Sequence, residues 1–241
     1  MYHVHGPSAV AICNAMNIVL TRHQSLRTAF FSDPKTGLPS QYVLPSASTS
    51  VKQQSLKNER AAYEEFNQLR HYTYDLDNGE TAAATLLSEA ETDHILILGF
   101  HHIVFDGFSA QIFVKDFASV IAGKHLPTLE HQYIEFADRQ RHLVQSTMET
   151  DLKYWKSQFL DLPNPLPLFE FSLVKSRKPL TTYDMHGAQH IIPSNTASVF
   201  KSKIRGLNAT PFYGHLAILQ ILLYRFLNVD DVCIGITDAN R

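Results

Sequence analysis

The stretch "HILILGFHH" (94–102) constrains this chain more than any other. A second apolar run, "TAAATLLSE" (81–89), precedes it, and only the turn residues "AETD" lie between. Two apolar runs joined by so short a polar break read as a β-hairpin. The second arm is apolar at successive positions, not alternate ones, so both of its faces must be buried. It is therefore expected as a central strand over 95–102.

Helical periodicity supplies candidates. In "GPSAVAICNAMNIVLTRH", Pro7 and Ser8 mark a start, and Ile12, Ala15, Met16, Val19 and Leu20 recur on one face. "ERAAYEEFNQLRHY", "SAQIFVKDFASVIAG" (stopping near Gly123), "YIEFADRQRHLV" and "DLKYWKSQF" are further helices. "DPKTG" (33–37) is a turn and "QYVL" (41–44) a short strand. "LDLPNPLPLFE" then packs three prolines into five residues, which excludes a helix or a central strand and predicts an extended connection. Beyond it come a strand ("GAQHIIP"), a helix from Ser194 or Asn195 to about Gly206, a long helix from Pro211 and a strand ("VCIGIT"). A strand at the very end of the chain, with nothing after it to cover its edge, predicts a piece of a longer protein. The expected division is a first lobe over 1–162, a linker over 163–180 and a partial second lobe over 181–241.

Composition excludes some classes of function. The net charge of −2 gives no basic footprint for nucleic acid or an anionic membrane surface. The N-terminus lacks a signal-peptide pattern, and "LAILQILLYRFL" is too short to span a bilayer and contains Arg225. A soluble, cytoplasmic protein is expected. The two cysteines, Cys13 and Cys233, make no disulfide framework and are expected as buried free thiols.

The hairpin's second arm ends in "LGFHHIVFDGFS" (98–109). On a strand reaching residue 102, His101 and His102 would face opposite sides and could not share a task. Asp106 and Gly107 follow in a loop at the strand's end, where the sheet can hold reactive groups rigidly. Gly107 either adopts a backbone conformation other residues resist or lets a ligand approach the main chain. Three readings stand for these residues: structural roles, a zinc site, and general acid–base work. Further zinc ligands are lacking, since His186 and His190 fall on a predicted strand. A serine hydrolase is unsupported, because no G-x-S-x-G is present.

The pattern H-H-x-x-x-D-G resembles the signature of the CoA-dependent acyltransferase-like superfamily. "RHQSLRTAF" (22–30), "YIEFADRQR" (133–141) and "IGITDANR" (234–241) resemble, in order, three further motifs of nonribosomal peptide synthetase condensation domains. "CIGITDANR" with "ATPFYGHLAILQILL" is most similar to condensation domains of fungal polyketide–peptide hybrid synthetases. Gln24 and Glu135 replace commoner motif residues, and the family's first motif would precede residue 1. Heterocyclization, epimerization and plant-type branches fit less well.

The resemblance implies an α/β (α+β) fold: a chloramphenicol-acetyltransferase-like lobe, its mixed sheet flanked by helices, plus an incomplete lobe of the same type. It implies amide formation between a carrier-bound acyl thioester and a carrier-bound aminoacyl amine. Donor and acceptor carrier protein domains would be the partners. No cofactor or metal would bind in the domain itself, substrates arriving on phosphopantetheine. His102 would be the catalytic histidine, as base or as stabiliser of the charged intermediate, and His101 would pack behind it. Gly107 would border the pantetheine path. Asp106 would pair with an arginine; Arg27 and Arg241 are candidates, and the resemblance favours Arg241. Trp155 is expected in a helix-packing core, and Tyr133, Phe136 and Ala137 on an inward helix face. An inactive truncated remnant or a carrier-binding module is the alternative for the chain as it stands.

Overall fold

A computed structural model describes residues 1–179 and 187–236. In chain order its elements are β1 (Tyr2–His5), α1 (Ala9–Arg22), a 3₁₀ turn (Gln24–Arg27), β2 (Thr28–Ser32), β3 (Pro39–Val43), β4 (Val51–Ser55), α2 (Glu59–Arg70), β5 (Ala82–Ala90), β6 (Asp93–Phe100), α3 (Gly107–Ile121), α4 (Tyr133–Gln158), α5 (Ser194–Gly206) and α6 (Pro211–Leu227). The chain forms two compact units, Met1–Met148 and Glu149–Arg241.

In the first unit a four-stranded sheet runs in the order β1-β6-β5-β4. β1 and β5 pair antiparallel with β6, and β4 pairs parallel with β5, so the sheet is mixed. The expected hairpin is its centre: Leu86 faces Leu96 across the β5–β6 ladder, and Thr85 faces Ile97. Both faces of β6 are buried, as its sequence demands. Leu96, with Ala82, Ala84 and Leu86 of β5, packs into a core with Ile12, Met16, Val19 and Leu20 of α1 and Phe113 of α3. Ile95 and Ile97, with Leu87, pack on the other side against Ala62, Phe66 and Leu69 of α2. The five α1 positions predicted on one face are the five that are buried.

Helix ends follow the local chemistry. Ser8 caps α1 through the Ala11 N–H, and Asn58 caps α2 through the Ala61 N–H. Gly123 takes a φ of +69° just past α3, where a side chain would be strained. His94 is buried beside the bulge between Ser88 and Ala90 in β5. Its Nε2 bonds to the Glu91 carbonyl at 3.1 Å and its Nδ1 to the Ser88 hydroxyl at 2.8 Å. A carbonyl only accepts, so Nε2 carries the proton.

Several expectations are corrected. β6 stops at Phe100, not at residue 102. β1, β2 and β4 have no strong alternation and were not expected; β4 exposes most of its polar side chains at the sheet edge. "YIEFADRQRHLV" and "DLKYWKSQF" form one helix, α4, because nothing between them breaks it. Residues 187–193 and 232–236 are not strands, as no neighbouring strand pairs with them among the described residues. Cys233 is exposed, whereas Cys13 is partly buried and burial pushes its thiol up. Trp155 is 57% exposed, and Phe136 is exposed while Tyr133 and Ala137 are half-buried.

The second unit is built on α5 and α6. Gly214 lets them meet: a Cβ there would lie 2.6 Å from Ile204 Cδ1 and 2.8 Å from Phe200 Cζ. Residues 163–179 carry neither helix nor strand, in keeping with their prolines. Among the described residues, no helix is long and apolar enough to cross a membrane.

Candidate functional site

The site is made by ending a strand early. β6 brings Phe100 to the sheet's end, and the His101 N–H still donates to the Thr81 carbonyl at 2.9 Å. The chain then turns, closed by the Val104 N–H donating to the His101 carbonyl at 3.2 Å. Phe105 folds back onto Phe100, ring on ring, with centroids 3.8 Å apart and planes 5° from parallel. Phe113 of α3 meets both rings edge-on, at 5.2 and 6.1 Å. The turn's two ends are thus stapled together over a buried aromatic, which keeps the loop from unfolding locally.

Asp106 begins the next element. Its Oδ1 accepts from the Ser109 N–H and the Ser109 hydroxyl, each at 2.8 Å, and so caps α3. A serine three residues after an aspartate, ahead of an apolar helix, is the local signal for that cap. Gly107 is the first helical residue; its φ is not positive, and a Cβ there would meet nothing within 4 Å. The first explanation for this glycine, an unusual backbone, is therefore excluded. Open space beside its Cα remains.

The two histidines differ, but not through strand alternation, since both lie beyond the strand. His101 is half-buried. Its Nδ1 accepts from the Ile103 N–H at 3.1 Å, which puts the proton of the neutral ring on Nε2. Tyr74 meets the same ring edge-on at 5.7 Å. His102 sits between the two ends of the His101–Ile103 bond, exposed at the tip of the turn. Among the described residues no group of three or more histidines, cysteines and carboxylates could hold a metal ion.

Arg27 is engaged by the backbone. Its guanidinium donates to the Thr21 carbonyl at 2.9 Å and to the Leu44 carbonyl, tying the 3₁₀ turn to the end of β3. Arg241 lies outside the described residues. Arg22 and His23, from the same motif as Arg27, both contact Oδ2 of Asp116 on α3 at 3.0 Å. Nothing local in the sequence reports a partner 93 residues away from His23.

Tyr74 and Gly99 were also not singled out. A Cβ on Gly99 would lie 2.5 Å from the Tyr74 hydroxyl and 3.1 Å from Leu69, so the glycine is what admits that tyrosine against the strand. Burial, with a smaller contribution from Glu80, pushes the Tyr74 phenol up. Neighbouring Tyr72 bonds to Glu80 Oε1 at 2.5 Å, and that bond is the first cause of its rise to about 12.

An exposed imidazole on a braced turn, beside open space at a helix start, suits acyl transfer. It supplies one proton-handling group and room for a substrate chain. Comparison with known proteins points to one family. The chain is 44% identical to a hybrid PKS-NRPS synthetase of Fusarium sp and 40% identical to the fusarin C synthetase of Gibberella fujikuroi. All of this chain is matched in each case, yet it spans only 6% of either relative's length. In fold it is similar to the condensation domain of the monacolin K polyketide synthase, with a TM-score of 0.78 at 24% identity over 94% of this chain and 53% of that one. It is also similar to the EpoB cyclization-docking bidomain from Sorangium cellulosum, with a TM-score of 0.72 at 21% identity over 94% of this chain and 46% of that one. The family model of the condensation domain matches residues 8–241, and the chain belongs to that family.

Proposed function

We propose that this chain serves a secondary-metabolite synthetase by joining a carrier-bound acyl thioester, polyketide or peptidyl, to a carrier-bound aminoacyl amine. The observation that carries the reading is the exposed His102 on a turn held by the His101–Ile103 bond and the Phe100–Phe105 stack. The neutral α-amine attacks the thioester carbonyl, the tetrahedral intermediate collapses, and an amide and a free thiol result. An amine and a thioester are already reactive, so positioning supplies much of the effect, up to ~7–11 kcal/mol in well-oriented cases. A placed histidine adds ~10²–10⁴-fold, by taking the amine proton or by stabilising the charge of the intermediate.

In this reading His102 is the catalytic histidine, and His101 holds the turn. Gly107 borders the path of the phosphopantetheine arm, which fits the open space beside it. Asp106 caps α3, and the partner that the family resemblance favours for it is Arg241. Donor and acceptor carrier domains are the partners, in a cytoplasmic assembly. The lobe boundary at 163–180 belongs to the same reading.

The test is single-turnover amide formation by the parent synthetase carrying His102→Ala. The expected result is a loss of at least ~100-fold with the fold retained. A rate within a few-fold of wild type would overturn the assignment and favour a carrier-binding or inactive role.

A further inference from the structure

We propose that Tyr74 is a positioning residue for the turn that carries His102, acting through the ring of His101. The inference rests on the reading of His102 as the reacting group. His101 and Ile103 flank His102 in sequence, and the bond from the Ile103 N–H to His101 Nδ1 closes a loop around it. Whatever sets the angle of the His101 ring therefore sets the backbone of His102. Tyr74 is the aromatic neighbour of that ring, edge-on with planes at 83°.

Tyr74 is itself held. Tyr72 meets it edge-on at 5.1 Å. The segment between Tyr72 and Glu80 is a closed turn: Glu80 accepts from the Tyr72 hydroxyl and from the Asp75 N–H, the Glu80 N–H returns to the Asp75 carbonyl, and Asp75 accepts from Asn78. On its far side Tyr74 lies against β6 at Gly99, the one position on that strand without a side chain to expel it. A rigid turn, a glycine notch and one aromatic contact thus reach from Glu80 to the His102 loop.

Four variants test this: Tyr74→Phe, Tyr74→Leu, Gly99→Ala, and Gly99→Ala combined with Tyr74→Phe. Two readouts are needed, the imidazole NMR signals of His101 and His102 in the 241-residue chain, and single-turnover condensation in the parent synthetase. Tyr74→Phe keeps the ring and should match wild type in both. Tyr74→Leu should shift both histidine signals and slow condensation ~10–100-fold with KM unchanged. Gly99→Ala should do the same, because its Cβ collides with the Tyr74 hydroxyl. Adding Tyr74→Phe removes that oxygen but leaves the 3.1 Å approach to Leu69, so it should move signals and rate part of the way back. Unchanged histidine signals in Tyr74→Leu would overturn the proposal, as would a Gly99→Ala variant that Tyr74→Phe moves no closer to wild type. If His102→Ala leaves condensation intact, the functional reading fails, while the NMR signals still decide whether the brace exists.

Discussion

Asp116 should be the most costly single polar residue to remove from the first unit. Its Oδ2 receives both Arg22 Nε and His23 Nε2 at 3.0 Å, and the three side chains retain only 15%, 18% and 14% of their exposure for arginine, histidine and aspartate. These bonds join the C-terminal end of α1 to the middle of α3. Removing one partner of a buried ion pair costs ~3–5 kcal/mol, mostly from the stranded charge. Since these groups keep some contact with water, the lower end applies, and Asp116→Ala should cost about 3 kcal/mol. Urea denaturation of the first unit, followed by circular dichroism, measures it. Replacing both charges, Arg22→Met with Asp116→Leu, should recover only part of that loss, since the stranded arginine disappears while His23 still lacks its acceptor. A loss below about 1 kcal/mol for Asp116→Ala, the value of a surface pair, would refute the reasoning. Asp116 lies nine residues into α3, about 14 Å along the axis from Gly107. The His101–Ile103 bond should therefore survive in the variant under native conditions.

Asp106→Ala should cost at least about 1 kcal/mol through loss of the α3 cap, and Asp106→Ser should recover the cap in a thermal melt. The Tyr72 phenol is raised from 10.0 to about 12, so the fold favours its protonated form: this contribution is present below pH 10 and is lost as pH rises through about 12. In ultraviolet titration against a Tyr72→Phe reference, Glu80→Gln should bring the midpoint back down, since the Glu80 bond is the leading cause. Gly214→Ala should separate α5 from α6, because its Cβ would meet Ile204 and Phe200 below 3 Å; a helix-content signal and melt unchanged from wild type would count against that packing.

What the sequence made legible was local or strongly periodic. The α1 face, the β5–β6 hairpin and the caps at Ser8 and Gly123 each depend on residues within a few positions of one another. β1 and β4 escaped because short edge strands carry little alternation, and their identity comes from the neighbour they pair with. Trp155 and Phe136 were misplaced for a related reason. Apolar spacing on a helix reports that a face wants cover, but it does not report what covers it.

The histidine pair shows how two neighbouring residues can be set apart by a cause other than the expected one. Strand alternation separated His101 from His102 on paper, yet β6 ends before either residue. Hydrophobic periodicity could not locate that end, because Phe100, Ile103, Val104 and Phe105 continue the apolar character straight through the turn. What ends the strand is tertiary: Phe105 stacks back on Phe100 over Phe113, and this reversal leaves residues 101–104 to close their own backbone bonds. His101 completes that closure by accepting the Ile103 N–H, so it contributes to the turn through its Nδ1 atom. His102 has no such duty and is left with its ring exposed. The difference between the two histidines is thus one of hydrogen-bond assignment within a turn. It follows that a residue unable to accept at the Nδ1 position of His101 should disturb His102 even where size and burial are kept. His101→Leu should shift the His102 imidazole signal, whereas His101→Asn, whose side-chain oxygen can accept from the Ile103 N–H, should shift it less. Equal shifts for the two variants would mean that bulk, not the bond, holds the turn.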